Sequence, residues 1–180
     1  TRGIRIRVSS FTRHHVNITM CRAKANGNYM NSMMALKEAL DTGYDEALLL
    51  DANGFVMEGS GENIFIVRDG VLYTPDLTSC LDGITRRTVI QLAQEEGLQV
   101  IERRITRDEV YIADEAFFTG TAAEVTPIRE VAGRQIGGGI RGPTTESLPS
   151  NNDEVLHGRS PANHAGGGLG GSTREARAGG

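Results

Sequence analysis

Between Ala47 and Thr74 the chain passes through four short strand-like runs, each stopped by turn residues before it could become a long helix. Ala47–Leu50 ends at Asp51-Ala-Asn-Gly54, and Phe55–Met57 leads into a glycine-rich stretch. Asn63–Val67 ends at Arg68-Asp-Gly70, and Val71–Thr74 ends at Pro75. Asn-Gly and Asp-Gly supply the positive φ of tight hairpins, and proline cannot continue a ladder. This spacing predicts strands joined by hairpins, hence a mainly antiparallel sheet.

The flanking segments add helices. Ile4, Ile6 and Val8 alternate with Arg5, Arg7 and Ser9, as in a strand with one buried face, and the β-rich run extends to Ala23. From Asn28 the period becomes helical: Met30, Met33, Met34, Leu36 and Leu40 form a broad stripe, with the methionines expected as core filler and Gly43 as the stop. Gly83–Glu96 predicts a second amphipathic helix ending at Gly97, with a strand beginning at Leu98. Arg107–Ala113 reads as one or two helical turns, Ala116–Thr119 as a buried strand, and Val125–Ile136 as a hairpin around Gly133. No glycine-rich first turn of a doubly wound βαβ series is present. After Gly137 the composition changes. No Phe, Tyr or Trp follows Phe118, glycines accumulate, and Pro149 interrupts any helix begun at Arg141. Residues 1–146 are therefore expected to form the body and 147–180 a poorly ordered tail.

Length and charge narrow the function. The chain has 180 residues, enough for one domain and a tail, and a net charge of −4, which argues against nucleic-acid binding. No apolar run approaches the roughly 20 residues that span a membrane, and no leader pattern is visible. Cys21 and Cys80 have neither metal-site nor disulfide spacing, and His14 and His15, adjacent on an expected strand, point to opposite sides. No metal is expected, and the plain reading is a cytoplasmic protein. The chain opens at Thr1 on a strand-like run, which reads as a start inside a longer protein.

Three stretches carry the chemistry: Lys24-Ala-Asn-Gly-Asn-Tyr29, Met57-Glu-Gly-Ser-Gly-Glu-Asn-Ile-Phe65 and Phe118-Thr-Gly-Thr-Ala-Ala-Glu-Val125. Together, in order and with ordinary spacing, they resemble the fold-type IV pyridoxal-phosphate enzymes and, within them, the branched-chain amino acid aminotransferases. The resemblance runs from about Val8 to Glu146, where Arg141-Gly-Pro-Thr-Thr-Glu146 looks like the opening of a terminal helix. It implies an α/β (α+β) larger domain, a barrel-like, mainly antiparallel sheet flanked by helices, preceded in such enzymes by a smaller domain.

The resemblance also implies roles. Lys24 matches the Schiff-base lysine; the chain's other lysine, Lys37, falls mid-helix. An amine serves there only if it can lose its proton, by desolvation or beside cations. Glu58 matches the carboxylate that keeps the pyridine nitrogen protonated, leaving Glu62 as a structural carboxylate bonded to nearby backbone. Tyr29 matches the tyrosine on the cofactor's phenolic oxygen, although a packed ring with a wet hydroxyl would look the same in sequence. Arg13 matches a supporting arginine near that tyrosine. Ile84, Thr85 and Thr121 match the phosphate contacts, and Leu81 the side chain packed on the ring; Thr85 as a simple helix cap is the alternative. Thr121, Ala122 and Ala123 match positions facing the substrate carboxylate.

The function implied is pyridoxal 5′-phosphate-dependent transamination of leucine, isoleucine or valine with 2-oxoglutarate, in a homo-oligomer acting on small molecules. A D-amino-acid aminotransferase or aminodeoxychorismate lyase of the same fold is the nearest alternative, and a truncated non-catalytic copy the other. The resemblance also places a phosphate-binding arginine in the smaller domain, for which no residue here substitutes by motif.

Overall fold

The structure, a computed structural model, describes residues 3–120 and 124–148. Its elements are β1 (Ile4–Val8), α1 (Tyr29–Asp41), β2 (Glu46–Leu50), β3 (Val56–Gly59), β4 (Asn63–Arg68), β5 (Val71–Thr74), α2 (Ile84–Glu95), β6 (Val100–Glu102), α3 (Arg107–Tyr111), β7 (Glu115–Gly120), β8 (Glu124–Val131), β9 (Arg134–Gln135) and α4 (Pro143–Ser147). The strands form one sheet in the order β3-β2-β1-β8-β7-β4-β5-β6, with β9 on β8. A further pairing of β3 with β4 closes six of these strands into a ring. One edge of β4 divides: Asn63 pairs with Glu58 of β3, while Ile66 to Arg68 pair with β5. Only β1–β2, β1–β8 and β5–β6 are parallel, so the barrel is mainly antiparallel, as expected.

Period-two alternation sorts the side chains between two faces. Ile6, Leu48, Val56, Ile64, Phe118 and Ile128 come from all six ring strands and pack together, which makes theirs the inner face; Ile105 and Val110 of α3's neighbourhood join them. On the outer face Phe65, Val67 and Phe117 receive Val89 and Ala93 of α2. Ala47 and Leu49, also outward, receive Ala35 and Ala39 of α1. Turn chemistry holds the connections. Asp69 and Gly70 (φ 51° and 75°) join β4 to β5, and Ala132 and Gly133 (φ 49° and 80°) join β8 to β9. The β2–β3 connection is a longer loop than its Asn-Gly pair suggests; there the Asp51 carboxylate accepts from the amides of Asn53 and Phe55.

Three expectations are corrected. The strand-like run stops at Val8, and residues 9–25 form an irregular loop, tied to β2 by Ser9 N–H to Leu48 O and Arg13 N–H to Leu50 O. His14 and His15 therefore do not lie on a strand; burial, then the Arg13 charge, lowers the His14 pKa and favours its neutral form. Second, the methionines of α1 are not core. Met30 and Met33 are 71% and 67% exposed, and the buried face is Ser32, Ala35 and Ala39, small enough to let the helix lie close on β2. Third, Ser147 completes α4 and Leu148 is fully buried against α2's core, so the body runs at least two residues past the expected boundary. The rest of the expected tail, 149–180, lies outside the described residues.

Candidate active site

Where α2 ends its cover of the outer face, the barrel surface turns polar. Strand register sets Glu58 opposite Asn63 and Asn63 opposite Thr119, one step beyond the stacked rings of Phe65 and Phe117, whose centroids are 5.2 Å apart. All three polar residues are buried, Glu58 to 6% and Thr119 to 1% exposure. The row floors a cavity of about 300 Å3. One wall is the start of α1 (Asn28, Tyr29, Ser32), and the facing wall is the start of α2 (Leu81 to Thr85). Arg22 and Lys24 line it from the 9–25 loop, and Ser60 to Glu62 from the β3–β4 turn.

Each group is placed by an identifiable contact. Glu58 Oε1 lies 2.7 Å from Arg13 Nε, and Oε2 accepts the Leu81 N–H at 3.0 Å. Burial pushes the Glu58 carboxyl up; the Arg13 guanidinium and the Leu81 amide pull it back toward the charged form. Arg13 Nε also faces Ser79 O at 3.4 Å, so the arginine joins the 9–25 loop to the approach to α2. Asn63 Nδ2 donates to Leu81 O at 2.8 Å, and its Oδ1 stands where a side chain on residue 83 would have to go, so glycine is required there for packing. Gly83 is the N-cap of α2, and no side chain caps it. The amides of Ile84 and Thr85 thus open the helix beside the cavity without intrahelical partners, the arrangement that binds phosphate. Thr85 lies inside the first turn, which removes the reading of it as the cap.

Asn28 sets the Lys24 loop. Its Nδ2 donates to Met20 O (3.1 Å) and Ala23 O (3.0 Å), and its Oδ1 accepts from Thr19 (2.9 Å). Lys24 itself is exposed and makes no hydrogen bond or ion pair among the described residues. Lys37 instead pairs with Asp41 at 2.8 Å on the outer surface of α1.

The cavity thus gathers Arg13, Lys24, Tyr29, Glu58, Leu81, Ile84 and Thr85; Thr121, Ala122 and Ala123 lie outside the described residues. Arg13 contacts Glu58 and Ser79 and lines the same cavity as Tyr29. One assignment changes. Glu62 does not bond the backbone: Glu46 takes those donors, accepting from Ser60 N–H (3.2 Å) and Ser60 Oγ (2.8 Å). Without a partner among the described residues, Glu62 is pushed up to about 7 by burial and then by the Glu46 charge. Asn28, Asn63 and Thr119 were not singled out in the sequence. All three stand inside the quoted motifs, which was the available signal. Register sets Thr119 opposite Asn63, and its hydroxyl is buried without a partner among the described residues.

Residues 1–131 match amino-transferase class IV, and the chain belongs to that family. It is 65% identical over 160 residues to the branched-chain-amino-acid aminotransferase of Pseudomonas aeruginosa, covering 89% of this chain and 52% of that protein. The corresponding protein of Escherichia coli K12 is 49% identical over 147 residues, covering 81% and 48%. Among solved structures, the T.th. branched-chain amino acid aminotransferase with pyridoxamine 5′-phosphate matches with a TM-score of 0.85 at 48% identity, over 89% of this chain and 53% of that one. The Thermoproteus uzoniensis branched-chain aminotransferase with norvaline matches at 0.83 and 50%, over 89% and 54%. The chain spans about half the length of these curated relatives.

Proposed function

We propose that this chain is the cofactor-holding part of a pyridoxal 5′-phosphate-dependent aminotransferase that exchanges the amino group of leucine, isoleucine or valine with 2-oxoglutarate. The observation that carries the reading is Glu58, a carboxylate buried under Arg13 at the floor of a cavity bordered by a free lysine and an open helix start. The residues fit the cofactor. Thr119 offers a buried hydroxyl without a partner among the described residues, and the α2 amides suit a phosphate dianion. When bound, pyridoxal phosphate supplies an electron sink for the substrate's Cα–H bond.

The chain's own residues bind, orient and move protons. Glu58, fixed by Arg13 and the Leu81 amide, favours a protonated pyridine nitrogen through its negative charge. Tyr29 and Leu81 line the cavity, where the tyrosine hydroxyl would meet a phenolic oxygen and Leu81 would pack on a flat ring. Ile84 and Thr85 hold the phosphate, with Thr121 joining them. Thr121, Ala122 and Ala123 receive the substrate carboxylate. Lys24 Nζ holds the cofactor and carries the proton that leaves the substrate.

Residues 1–146 make up the cofactor-holding unit in this reading, extended by Ser147 and Leu148, with 147–180 otherwise a tail. The homologous enzymes' names support the substrates, and the exposed Met30, Met33 and Ile84 support a homo-oligomer. Two free, buried cysteines agree with a cytoplasmic setting, and no helix among the described residues is long and apolar enough to cross a membrane. Because Lys24 is exposed here, the 180-residue chain should bind pyridoxal phosphate weakly and reversibly. Turnover of leucine in the common range of about 1–1000 per second would overturn that view. The direct test is borohydride reduction with pyridoxal phosphate and peptide mapping. Label on Lys24 is expected; label on Lys37 alone, or on neither, would refute the assignment.

A further inference from the structure

Glu62 is a carboxylate of the cavity that nothing in the described chain neutralises. It sits in the tight turn between β3 and β4, fixed by the Gly59 N–H bond to its own carbonyl at 2.7 Å. Its stem lies against Gly120, where even a methyl group would stand 3.2 Å from Glu62 Cγ. The carboxylate accepts no hydrogen bond and joins no ion pair among the described residues. Its neighbour Glu46 has three donors: Ala47 N–H (2.6 Å), Ser60 N–H (3.2 Å) and Ser60 Oγ (2.8 Å). The other charges around the cavity are matched or stand in solvent. Arg13 matches Glu58, Arg87 matches Asp82 at 2.7 Å, and Arg22 and Lys24 are exposed. A cavity of about 300 Å3 is roughly 8 Å across, no more than a Debye length at physiological salt. An anion at the α2 amides and an ionised Glu62 would therefore repel each other with little screening.

We propose that Glu62 is a binding-determining residue of this cavity, taking up a proton from solvent when a phosphate monoester seats at the start of α2. The proposal rests on the reading of that helix start as the phosphate site. Glu62 is already near its midpoint at neutral pH, because burial and the Glu46 charge push it up to about 7. An anion raises it further, and by linkage the protonated protein binds the anion more tightly. Amide donors at α2 hold the phosphate, and a neutral Glu62 removes the opposing charge while adding an O–H donor to the cavity. Glu46 acts through Glu62: its own acceptors are committed to the Ser60 turn, and its charge sets where Glu62 titrates.

The test uses the full chain and phenyl phosphate, a phosphate monoester with neither an aldehyde nor a ring nitrogen, so neither the amine chemistry of Lys24 nor a pyridine facing Glu58 enters. The ligand's second phosphate ionisation, about pH 6, is complete across a series from about pH 7 to pH 8.5. Wild-type affinity should fall by up to roughly tenfold per pH unit across that series. Glu62→Gln should bind more tightly at the alkaline end and lose the slope. Glu46→Gln should shift the sloping range to lower pH, since removing its charge lowers the Glu62 midpoint, and so leave a flatter profile at the alkaline end. Calorimetry of the wild type in two buffers of different ionisation enthalpy needs no substitution and should show net proton uptake near neutrality. Binding without uptake, or the same slope in Glu62→Gln, overturns the role of Glu62 and leaves the phosphate site standing. No binding by the wild type at any pH overturns the phosphate site itself, and the role of Glu62 with it.

Discussion

Arg13 and Glu58 form an ion pair closed to solvent on both sides, with Nε 2.7 Å from Oε1 and side chains 6% and 8% exposed. Neither residue belongs to a regular hydrophobic pattern, and a buried pair of this kind adds little net stability, since desolvation offsets the Coulomb attraction. Its value is the state it maintains. Burial alone would drive Glu58 to its neutral form, and the guanidinium opposes that. The same contact holds the 9–25 loop, and with it Lys24, against the barrel floor.

Breaking one side of the pair should therefore be costly, and the cost should depend on pH. Arg13→Gln is expected to destabilise the fold by about 3–5 kcal/mol near neutral pH in urea titrations, because it leaves a buried charge unmatched. Without Arg13 the folded-state pKa of Glu58 rises further above its unfolded value. Stability is then retained below the ordinary carboxylate range and lost as pH rises through the folded value. The deficit should shrink at about pH 5 relative to pH 8. Arg13→Met combined with Glu58→Met should recover most of the stability, and a double variant as unstable as the single one would contradict the account.

Arg86 is the second buried arginine, and its role is mechanical. It is 2% exposed, and its Nη2 reaches Pro75 O at 2.9 Å and Glu102 Oε2 at 2.6 Å, bracing the first turn of α2 against the ends of β5 and β6. Arg86→Ala leaves a void and an unsatisfied carbonyl, for an expected loss of about 2–4 kcal/mol. Because Ile84 and Thr85 sit in the same turn, affinity for phosphate esters should fall as well. A variant that lost stability while binding as tightly as wild type would separate the brace from the site.

Local chemistry was legible in the sequence, and long-range pairing was not. Asp69-Gly70 and Gly133 announce their turns because positive φ is a property of one or two residues. The ring closure through Glu58 and Asn63, and the parallel pairing of β1 with β2 and β8, depend on strands far apart in the chain. Val16 and Ile18 look like strand residues, yet they sit exposed in a loop because β1's neighbours already have their partners. Motif spacing was enough to gather Lys24, Tyr29, Glu58 and Thr85. It could not reveal the Arg13 ion pair or the Glu46–Glu62 opposition, both of which arise only once strands and turns are set side by side.

At α3 the acid response of one carboxylate can be isolated. Glu109 caps the helix through Thr106 N–H (2.8 Å) and pairs with Arg103, whose hydrogen bond is the largest cause holding its pKa down to about 2. A depressed carboxylate contributes stability above its unfolded value, and that contribution is lost as pH falls through the folded one. Arg103→Gln should thus cost under about 1 kcal/mol at neutral pH, the pair being partly solvated. It should also flatten the loss of melting temperature between about pH 4.5 and pH 2. An unchanged acid limb would show that other carboxylates dominate it.

The face of α1 offers the sharpest contrast between pattern and packing. By size, Met30, Met33 and Met34 should be the buried stripe, and by position they are not; Ala35 and Ala39 carry the contact with Ala47 and Leu49. Small residues win because the helix lies too close to β2 for a longer side chain. Ala39→Leu should therefore force the helix away from the sheet and cost about 1–3 kcal/mol by overpacking. Met33→Gln should change stability by no more than about 0.5 kcal/mol, as exposed substitutions usually do. The two variants also bear on assembly. If Met33 lies in an interface between copies of the chain, Met33→Gln should lower the apparent mass in sedimentation at fixed concentration without moving the melting midpoint of dilute protein. A large loss of dilute-protein stability in Met33→Gln, with Ala39→Leu neutral, would restore the methionines to the core and overturn this placement of α1.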